Sequence, residues 1–582
     1  MNASEPAQSR ADAPVTGAEI VCRALAAEGV TEVFGYPGGA VIPIYDEIFK
    51  QNKFRHILTG HEQGAAHAAD AYARATGRPG VLLVTSGPGA TNAVTGISTA
   101  YSDSIPMVII TGQVGTNMIG TDAFQECDTV GITRPCVKHN FLVRSVEELA
   151  ETIRKAFYIA TTGRPGPVLI DIPKNIQTSR CVFRYPEKVS LPTYKPVVKG
   201  HSGQIKKALA TLLDAQRPLI LVGGGVILSN AADLMNRFAN LTGMPVISTL
   251  MGLGGFRGTD RKFLGMAGMH GTLEANLALQ NCDVLINFGS RLEDRLISDV
   301  KDFERLPRTV IHIDVDPSSI SKRVTAHIPI VGDVRSVLAD MVRLLEEENA
   351  QPDTEQLAPW WNQIDEWRSR RSLDYPKTGD VIMPEAVVEH TQAAAPEGTI
   401  YTTDVGEHQM YAAQYLKLDR PREFLTSGGQ GTMGFGLPAA VGAAIAKPDR
   451  PVVCFTGDGS IQMCIQELIT CKRYGLAPKI VIFNNGYLGM VAVWQRLYCG
   501  GRLSETTLDP QPDFVALARA YGHVGYRCKT YQELDAALSD AFGTHRDDCC
   551  VLDVHISRDE PVIPMVGPGE GLTSMILREG AK

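Results

Sequence analysis

Residues 452–486 read VVCFTGDGSIQMCIQELITCKRYGLAPKIVIFNNG. An apolar run ends in Gly457-Asp458-Gly459-Ser460, a helical pattern follows, and a second apolar run ends in two asparagines. This order predicts a β-α-β unit, and a right-handed crossover brings the carboxyl ends of both strands to one edge of a sheet. Asp458 and Asn485, which are 27 positions apart, are therefore expected to meet there.

Two oxygen ligands at such an edge suit a hard cation such as Mg²⁺. Gly457 and Gly459 would let a phosphate group approach the backbone, and a helix that begins near Ser460 would offer free N–H groups. A lone Gly-Asp-Gly is more often an ordinary turn with a capping aspartate. The strand–helix–strand context and the spacing to Asn485 favour a metal and diphosphate site here.

Similar β-branched runs followed by glycine recur along the chain, at 81–92, 218–226, 283–291 and 309–316. Buried parallel strands have this composition. Their alternation with helical patterns predicts an α/β protein with three doubly wound parallel-sheet domains. Two polar stretches, 183–204 and 350–380, are interpreted as linkers. The predicted domains are 14–185, 195–350 and 375–560, followed by a carboxyl-terminal arm at 561–582.

The composition of the 582 residues excludes some classes of protein. A net charge of −8 argues against a nucleic-acid binder, and without an apolar run of 18 residues no membrane span is predicted. Residues 1–13 are polar and are interpreted as a loose terminus without a targeting signal. The twelve cysteines include no Cys-x-x-Cys pair, which favours reduced thiols in a cytoplasmic protein.

Residues 54–77, FRHILTGHEQGAAHAADAYARATG, predict a strand, a turn and a helix, with Glu62 at the turn, just before or within the first turn of the helix. Locally, Glu62 could simply favour the helix dipole. The combination of GHEQGAA at 60–66 with GDG…NN near the carboxyl terminus resembles the thiamine-diphosphate-dependent enzymes. That resemblance implies that Glu62 hydrogen-bonds the cofactor's aminopyrimidine ring and promotes its activation. It also implies a homodimer or tetramer, because in the family the glutamate and the metal site come from different subunits.

A closer resemblance, to the acetolactate synthase large subunits, covers about residues 15–580. Its carriers are FGYPGGAVIPIYD (34–46), TSGPGATNAVTGI (85–97), GMHGT (268–272), SGGQGTMGFGLPAA (427–440) and LGMVAVWQ (488–495). It implies decarboxylation of pyruvate on thiamine diphosphate and condensation of the two-carbon unit with pyruvate or 2-ketobutyrate, the first common step of branched-chain amino-acid biosynthesis. It further implies a separate small regulatory subunit.

The resemblance also implies roles for individual residues. Met433 props the bent cofactor, the carbonyl of Tyr487 joins Asp458 and Asn485 as a metal ligand, and Gln113 and Gly64 border the reacting centre. Arg295 meets the second substrate's carboxylate, Trp494 favours 2-ketobutyrate as acceptor, and Lys138 lies near the active-site entrance. The residues implied for FAD binding are Gly223, Gly224, Gly225, Thr249, His270, Gly271, Arg291, Arg295 and Asp314.

The flavin interpretation is weak on spacing alone, because Gly223–Gly225 lack the G-x-G-x-x-G order and could form a plain packing turn. The chain also departs from the family at Gly115, Leu292, Glu293 and Val493, which puts the fine fit of the flavin in doubt. Two alternatives stay open: another thiamine-diphosphate-dependent carboligase, decarboxylase or oxidase, and a catalytically inactive protein on this fold. A nicotinamide-dependent dehydrogenase is disfavoured, because no full dinucleotide fingerprint is present.

Overall fold

Three six-stranded parallel sheets form the framework of the chain. A computed structural model describes residues 13–349, 354–377 and 379–578. The sheets and their flanking helices confirm the α/β prediction. The expected loose terminus falls, apart from Ala13, outside the described residues, as do the last four residues of the arm.

The first sheet contains the strand that precedes Glu62. In spatial order its strands are Arg55–Leu58, Glu32–Tyr36, Gly80–Val84, Met107–Gln113, Pro167–Pro173 and His139–Leu142. The helices between them are Gly17–Ala27, Ile42–Lys50, Glu62–Thr76, Pro88–Ser102, Thr129–Thr133, Leu149–Thr161 and Lys174–Thr178. Two short strands, Pro14–Thr16 and Arg180–Val182, pair antiparallel beside this sheet.

The second sheet contains the glycines implied for flavin binding. Its strands, in spatial order, are Phe263–Met266, Val246–Ser248, Pro218–Val222, Val284–Phe288, Thr309–Asp314 and Ile328–Val331. The chain order reverses at Pro218–Val222, which gives the sheet a topological switch point between this strand and Val284–Phe288. Its helices are Ser202–Leu213, Gly224–Leu228, Ala232–Thr242, Leu273–Asn281, Val300–Glu304 and Val334–Glu347.

The third sheet contains the Gly-Asp-Gly strand near its centre. Its strands, in spatial order, are Phe424–Leu425, Ile400–Thr403, Val452–Gly457, Lys479–Asn484, Cys550–His555 and Val524–Cys528. Helices in this part of the chain are Pro384–Ala394, Glu407–Tyr415, Gly436–Ala446, Leu468–Tyr474, Gly489–Tyr498, Phe514–Ala520 and Tyr531–Phe542. The arm forms a two-stranded antiparallel sheet from Met565–Val566 and Met575–Ile576.

The chain divides into two compact units. One comprises the described residues of 1–195, 429–449 and 463–476, and the other those of 196–428, 450–462 and 477–582. The predicted boundaries of three domains stay a prediction. None of the helices in the described residues is long and apolar enough to cross a membrane.

Two local interpretations were wrong. The stretch 350–380 is more than a linker, because it contains the helix Thr354–Ser369, whose Trp360 and Ile364 are buried against the second sheet's core. The segment after Ser460 is not one helix. It forms the 3₁₀ turns Ile461–Met463 and Ile465–Glu467, separated by the non-helical Cys464 (φ −136°, ψ 28°), and the α-helix begins only at Leu468.

Candidate active site

Glu62 begins a helix, as the sequence predicted. The strand Arg55–Leu58 leads into a turn, and His61 caps the helix Glu62–Thr76 by accepting the N–H of Gln63 with its ring Nδ1 at 3.1 Å. Glu62 is buried, and its Oε2 accepts a hydrogen bond from Nδ2 of Asn92 at 3.0 Å. Within the described chain no group donates to its other oxygen, Oε1. A buried carboxylate with one oxygen held and the other open is suited to hydrogen-bond a ring nitrogen of a cofactor.

Glu467 is a residue that the sequence analysis did not identify. Its side chain is fully buried, and both carboxylate oxygens accept the backbone N–H of Gly60, at 3.0 and 3.1 Å. Thr470 donates its hydroxyl to the same carboxylate at 2.6 Å. A β-carbon on Gly64 would lie 2.1 Å from its Oε1, which explains why position 64 is a glycine. Burial raises the pKa of Glu467. The contact spans 407 positions, so no local pattern could have signalled it.

The side-chain amide of Gln113 is held by its own neighbours. It donates to the carbonyl of Cys127 at 2.8 Å and to Oδ2 of Asp171 at 2.9 Å, and it accepts from the N–H of Val114 at 2.9 Å. Thr111 donates to the other oxygen of Asp171 at 2.7 Å. Burial raises the pKa of Asp171 to about 7, although these donors oppose the shift. Gln113 is therefore fixed in orientation at the carboxyl end of its strand.

Lys138 makes internal contacts. Its ammonium group donates to the carbonyls of Ile159 and Thr162, at 2.6 and 2.5 Å, and to the hydroxyl of Tyr194 at 2.8 Å. These acceptors use the three protons of the ammonium group. The position of Lys138 near an entrance stays a prediction, and in the observed geometry the side chain ties Tyr194 to the end of the helix Leu149–Thr161.

Met433 lies in a half-buried turn of the compact unit that also contains Glu62. On one side Thr432 shares a hydrogen bond with the hydroxyl of Thr99 at 2.7 Å. On the other side Gly434 adopts φ +90°, a conformation that favours glycine. The hydrogen bond of Thr432 and the turn at Gly434 thus constrain the backbone around Met433. Contact between Met433 and a cofactor stays a prediction.

Asp458 and Asn485 lie at the same edge of the third sheet, because the strands Val452–Gly457 and Lys479–Asn484 are parallel and pair Gly457 with Phe483. Both side chains are buried. Oδ2 of Asp458 accepts the N–H of Gly486 at 2.8 Å, directly after Asn485, and also accepts from the amide of Gln511. Ser460 accepts the N–H of Gly457 at 3.1 Å, and a β-carbon on Gly459 would lie 2.8 Å from Leu488.

The chemistry of this edge fits a cation and a diphosphate. Burial raises the pKa of Asp458 to about 6, a cost that a bound cation would offset. The next strand, Ile400–Thr403, adds two residues that the sequence analysis overlooked. Glu407 accepts from Nδ2 of Asn485 at 3.0 Å, and burial raises its pKa to about 8. The Nε2 of His408 is buried without a partner in the described chain, and this ring lies 3.1 Å from where a β-carbon of Gly457 would be. Their position after a strand end was the available signal.

The ring of Tyr487 lies close to two cationic side chains. The guanidinium of Arg558 lies 4.6 Å from the centre of its ring and that of Arg496 lies 5.2 Å away. Arg558 also donates to the carbonyl of Asn485 at 3.1 Å. Cation–π contacts of this kind fix the backbone from which the carbonyl of Tyr487 would reach a metal. Among the described residues no cluster of three histidine, cysteine, aspartate or glutamate side chains is placed to hold a metal, and the ligand set of Asp458, Asn485 and the Tyr487 carbonyl stays a prediction.

Arg295 and Trp494, which lie far apart in the sequence, are linked through Met269. The N–H of Met269 donates to the carbonyl of Arg295 at 2.8 Å, and the Met269 side chain belongs to a small apolar cluster against which Trp494 packs. The Arg295 side chain is 65% exposed and Trp494 is half-buried. Both side chains can therefore reach a small molecule.

The residues implied for flavin binding lie near the carboxyl edge of the second sheet. A β-carbon on Gly223 or Gly225 would lie 2.3 or 2.7 Å from the backbone of Gly289, so packing alone explains these two glycines. One on Gly224 would meet Met251 at 3.2 Å. The remaining positions have local contacts: Thr249 donates its N–H to the carbonyl of Val222 at 3.0 Å, Arg291 pairs with Glu293 at 2.7 Å, and Asp314 accepts the N–H of Asp316 at 2.8 Å.

His270 is the best support for a ligand at this edge. It is buried next to Gly271, and its Nδ1 has no hydrogen-bond partner in the part of the chain that the structure describes. Burial lowers its pKa to about 4, so the ring is neutral. A buried neutral imidazole whose Nδ1 has no partner among the described residues, together with the switch point at Gly223 and Gly289, is compatible with a bound flavin.

Comparison with known proteins agrees with this geometry. Three family descriptions match the chain: "Thiamine pyrophosphate enzyme, N-terminal TPP binding domain" at residues 15–132, the "central domain" at 205–341, and the "C-terminal TPP binding domain" at 404–554. The chain is 50% identical over 566 residues to the acetolactate synthase large subunit of Haemophilus influenzae, covering 97% of this chain and 98% of the relative. It is 49% identical over 567 residues to the acetolactate synthase isozyme 3 large subunit of Escherichia coli (97% and 98%). It is 46% identical over 561 residues to the acetolactate synthase of Mycobacterium bovis (95% and 90%).

Proposed function

The chain belongs to the acetolactate synthase large subunits within the thiamine pyrophosphate enzymes, and from this membership we propose how its residues divide the work. The observation that carries the proposal is the 50% identity over 97% of the chain, and Glu62, Asp458 and Asn485 are all present in the sequence. The reaction is decarboxylation of one pyruvate and transfer of its two-carbon unit to a second pyruvate or to 2-ketobutyrate. When bound, thiamine diphosphate supplies the electron sink for the decarboxylation.

Asp458, Asn485 and the carbonyl of Tyr487 would hold Mg²⁺, which would neutralise charge on the diphosphate. Mg²⁺ takes oxygen ligands and keeps positions for phosphate oxygens and water, and an acid, an amide and a carbonyl match that preference. Asn485 can offer its oxygen to the metal because Glu407 accepts from its nitrogen. Gly457, Gly459 and Ser460 form the turn that the diphosphate approaches.

Glu62 acts on the aminopyrimidine ring through its open oxygen, while Asn92 holds the other. Met433 would support the bound cofactor. Arg295 orients the acceptor by its carboxylate, since a guanidinium can bind a carboxylate with two parallel hydrogen bonds. Trp494 contacts the extra methylene of 2-ketobutyrate. Gln113 and Lys138 contribute by holding the loops around them, given the internal bonds of both side chains.

FAD is proposed as a further cofactor at the second sheet, near Gly224, Thr249, His270 and Asp314. The assembly is proposed to be a homodimer or tetramer, with a separate small regulatory subunit. The supporting argument for the dimer is the family's division of the glutamate and the metal site between subunits. Residence in the cytoplasm stays a prediction.

The test is to incubate the purified chain with pyruvate, thiamine diphosphate, Mg²⁺ and FAD and to measure acetolactate. Acetolactate that forms only with thiamine diphosphate and Mg²⁺ is the expected result. Acetaldehyde, acetyl phosphate or no product from pyruvate would contradict the proposal and favour another enzyme on this fold. Flavin is tested separately, by the absorbance of the purified protein and by the shift in melting temperature when FAD is added to stripped protein.

A further inference from the structure

A small apolar cluster joins the carboxyl-terminal arm to Trp494. Its buried members are Met269, Ile563 and Met565, and the half-buried Trp494 packs against them. Two of the three supporting side chains thus come from the arm, which the sequence analysis treated as an appendage. Indole rings pack favourably against methionine sulfur and aliphatic groups, so these side chains help to fix the position of the indole, together with Tyr498, whose ring centre lies 5.4 Å from that of Trp494.

The arm is fixed where it meets the cluster. The N–H of Val566 donates to the carbonyl of Met269 at 2.7 Å, and the N–H of Met269 donates to the carbonyl of Arg295 at 2.8 Å. Backbone hydrogen bonds therefore run from the arm through Met269 to Arg295. Movement of residues 563–566 would be transmitted both to the indole and to the arginine that is proposed to orient the acceptor.

Contacts of later residues in the arm also hold it against the rest of the chain. Leu572 is buried in a core cluster of the second sheet, and Gly569 donates its N–H to Oγ of Ser298 at 2.7 Å. Arg578 forms ion pairs with Glu385 and Glu560 at 2.7 and 2.6 Å. The arm that supports Trp494 is thus held in place by several contacts with the rest of the chain.

We propose that Ile563 and Met565 are positioning residues that set the acceptor preference by holding the indole of Trp494 at a fixed depth. The inference rests on the proposed role of Trp494. Two acceptors that differ by one methylene are distinguished by about 10- to 200-fold at most in an apolar pocket. A shift of the contacting ring by about 0.5–1 Å forfeits about a quarter to a half of the dispersion attraction. Loss of the Met565 side chain opens a cavity behind the indole, which then withdraws from the acceptor.

The test is a competition experiment with equal concentrations of pyruvate and 2-ketobutyrate, in which acetolactate and acetohydroxybutyrate are measured in one tube. Met565→Ala and Ile563→Ala are expected to lower the share of acetohydroxybutyrate by about three- to tenfold, the lower part of the range for one methylene. The rate of acetolactate formation from pyruvate alone should stay within about threefold. Met565→Leu nearly conserves volume and should restore the ratio.

The matched control is Ile576→Ala. Ile576 pairs with Met565 across the two-stranded sheet of the arm but is 40% exposed and lies outside the cluster. It should leave the product ratio unchanged. The double variant Met565→Ala/Trp494→Leu should give the ratio of Trp494→Leu alone, because a positioning residue acts only through its target.

The outcomes separate this inference from the proposal beneath it. The first outcome is that Trp494→Leu lowers the ratio of acetohydroxybutyrate to acetolactate, while Met565→Ala and Ile563→Ala give the wild-type ratio, as the control does. In that case the arm does not position the indole. If Trp494→Leu also leaves the ratio unchanged, the role of Trp494 fails and the inference falls with it. If Met565→Ala proves unstable by thermal melting, Ile563→Val removes a single methylene, and an unchanged ratio there overturns the inference.

Discussion

Both carboxylate oxygens of Glu467 accept the backbone N–H of Gly60, two residues before Glu62. The turn that presents Glu62 is therefore held from inside the protein by a second, fully buried carboxylate. Sequence patterns place Glu62 at a helix start but cannot fix how the preceding turn is oriented. Glu467 supplies that orientation, and Gly64 leaves the space for it.

Enlarging residue 64 should therefore damage catalysis. In Gly64→Ala the added carbon would lie 2.1 Å from Oε1 of Glu467 and push the carboxylate away from Gly60. We expect turnover to fall by about tenfold or more, the loss that corresponds to one or two buried hydrogen bonds of about 1–3 kcal/mol in total. Gly39→Ala is the matched control, because a β-carbon there meets nothing within 4 Å. Wild-type turnover in Gly64→Ala would contradict the role of Glu467.

Replacing Glu62 tests the assigned carboxylate itself. Glu62→Gln keeps the shape and the contact with Asn92 but removes the charge that polarises the ring. Exchange of the cofactor's C2 proton and turnover should fall by about two to four orders of magnitude, the range for general acid–base contributions. Exchange is followed by NMR after acid quench, and a melting curve verifies that the variant is folded. Near-normal exchange would reject the assignment.

The strands and the meeting of Asp458 with Asn485 could be predicted, because a parallel crossover fixes which strand ends share an edge. Contacts that depend on tertiary packing could not. Glu467 reads as one position of an apolar helix pattern, yet its segment folds as a 3₁₀ turn and its partner is Gly60. Trp360 and Ile364 were hidden in a charged stretch, although their spacing is that of a buried helix face. The packing of Trp494 against the cluster that contains Met565 depends on the path of an arm that has no periodic pattern.

Asp171 should make stability depend on pH. Burial raises its pKa to about 7 in the folded protein, against about 3.9 in an unfolded chain. The folded state therefore binds the proton of Asp171 more tightly than the unfolded chain does. The contribution of this protonation to the free energy of unfolding is fully present below about pH 4 and is lost as the pH rises to about 7. Asp171→Asn should remove this pH dependence. The free energy of unfolding of the variant should therefore rise relative to that of wild type between pH 5 and pH 8. Urea unfolding at both values measures it, with the exposed Asp46→Asn as control. A parallel shift at both pH values would contradict the raised pKa.

The metal site predicts a specific loss of cofactor affinity. Asp458→Ala removes the charged ligand, and the diphosphate is then left without its cation. Calorimetry should show thiamine diphosphate binding that no longer strengthens when Mg²⁺ is added. Asp547→Ala, at a residue whose side chain is 86% exposed, should bind as wild type does. Unchanged Mg²⁺-dependent affinity in Asp458→Ala would remove Asp458 from the site.

Arg295 and Trp494 should separate binding of the acceptor from choice of the acceptor. The two acceptors have the same carboxylate, so Arg295 can orient both but cannot distinguish them. Arg295→Ala should weaken use of both acceptors alike, and the product ratio should stay near that of wild type. Trp494→Leu removes the apolar surface that meets the extra methylene. It should lower the preference for 2-ketobutyrate by about tenfold or more, within the range for one methylene, while it spares acetolactate formation.

Trp494 is half-buried, packs against the Met269 cluster and lies 5.4 Å from the ring of Tyr498, so shortening it does not open a fully buried core. A variant that loses both products together, with a lower melting temperature, would make Trp494 a structural residue. A product ratio that changes in Arg295→Ala and not in Trp494→Leu would reverse the two assignments. The hydrogen bond from Met269 to the carbonyl of Arg295 involves the backbone alone, so Arg295→Ala leaves the support of the indole intact and the two effects can be measured independently.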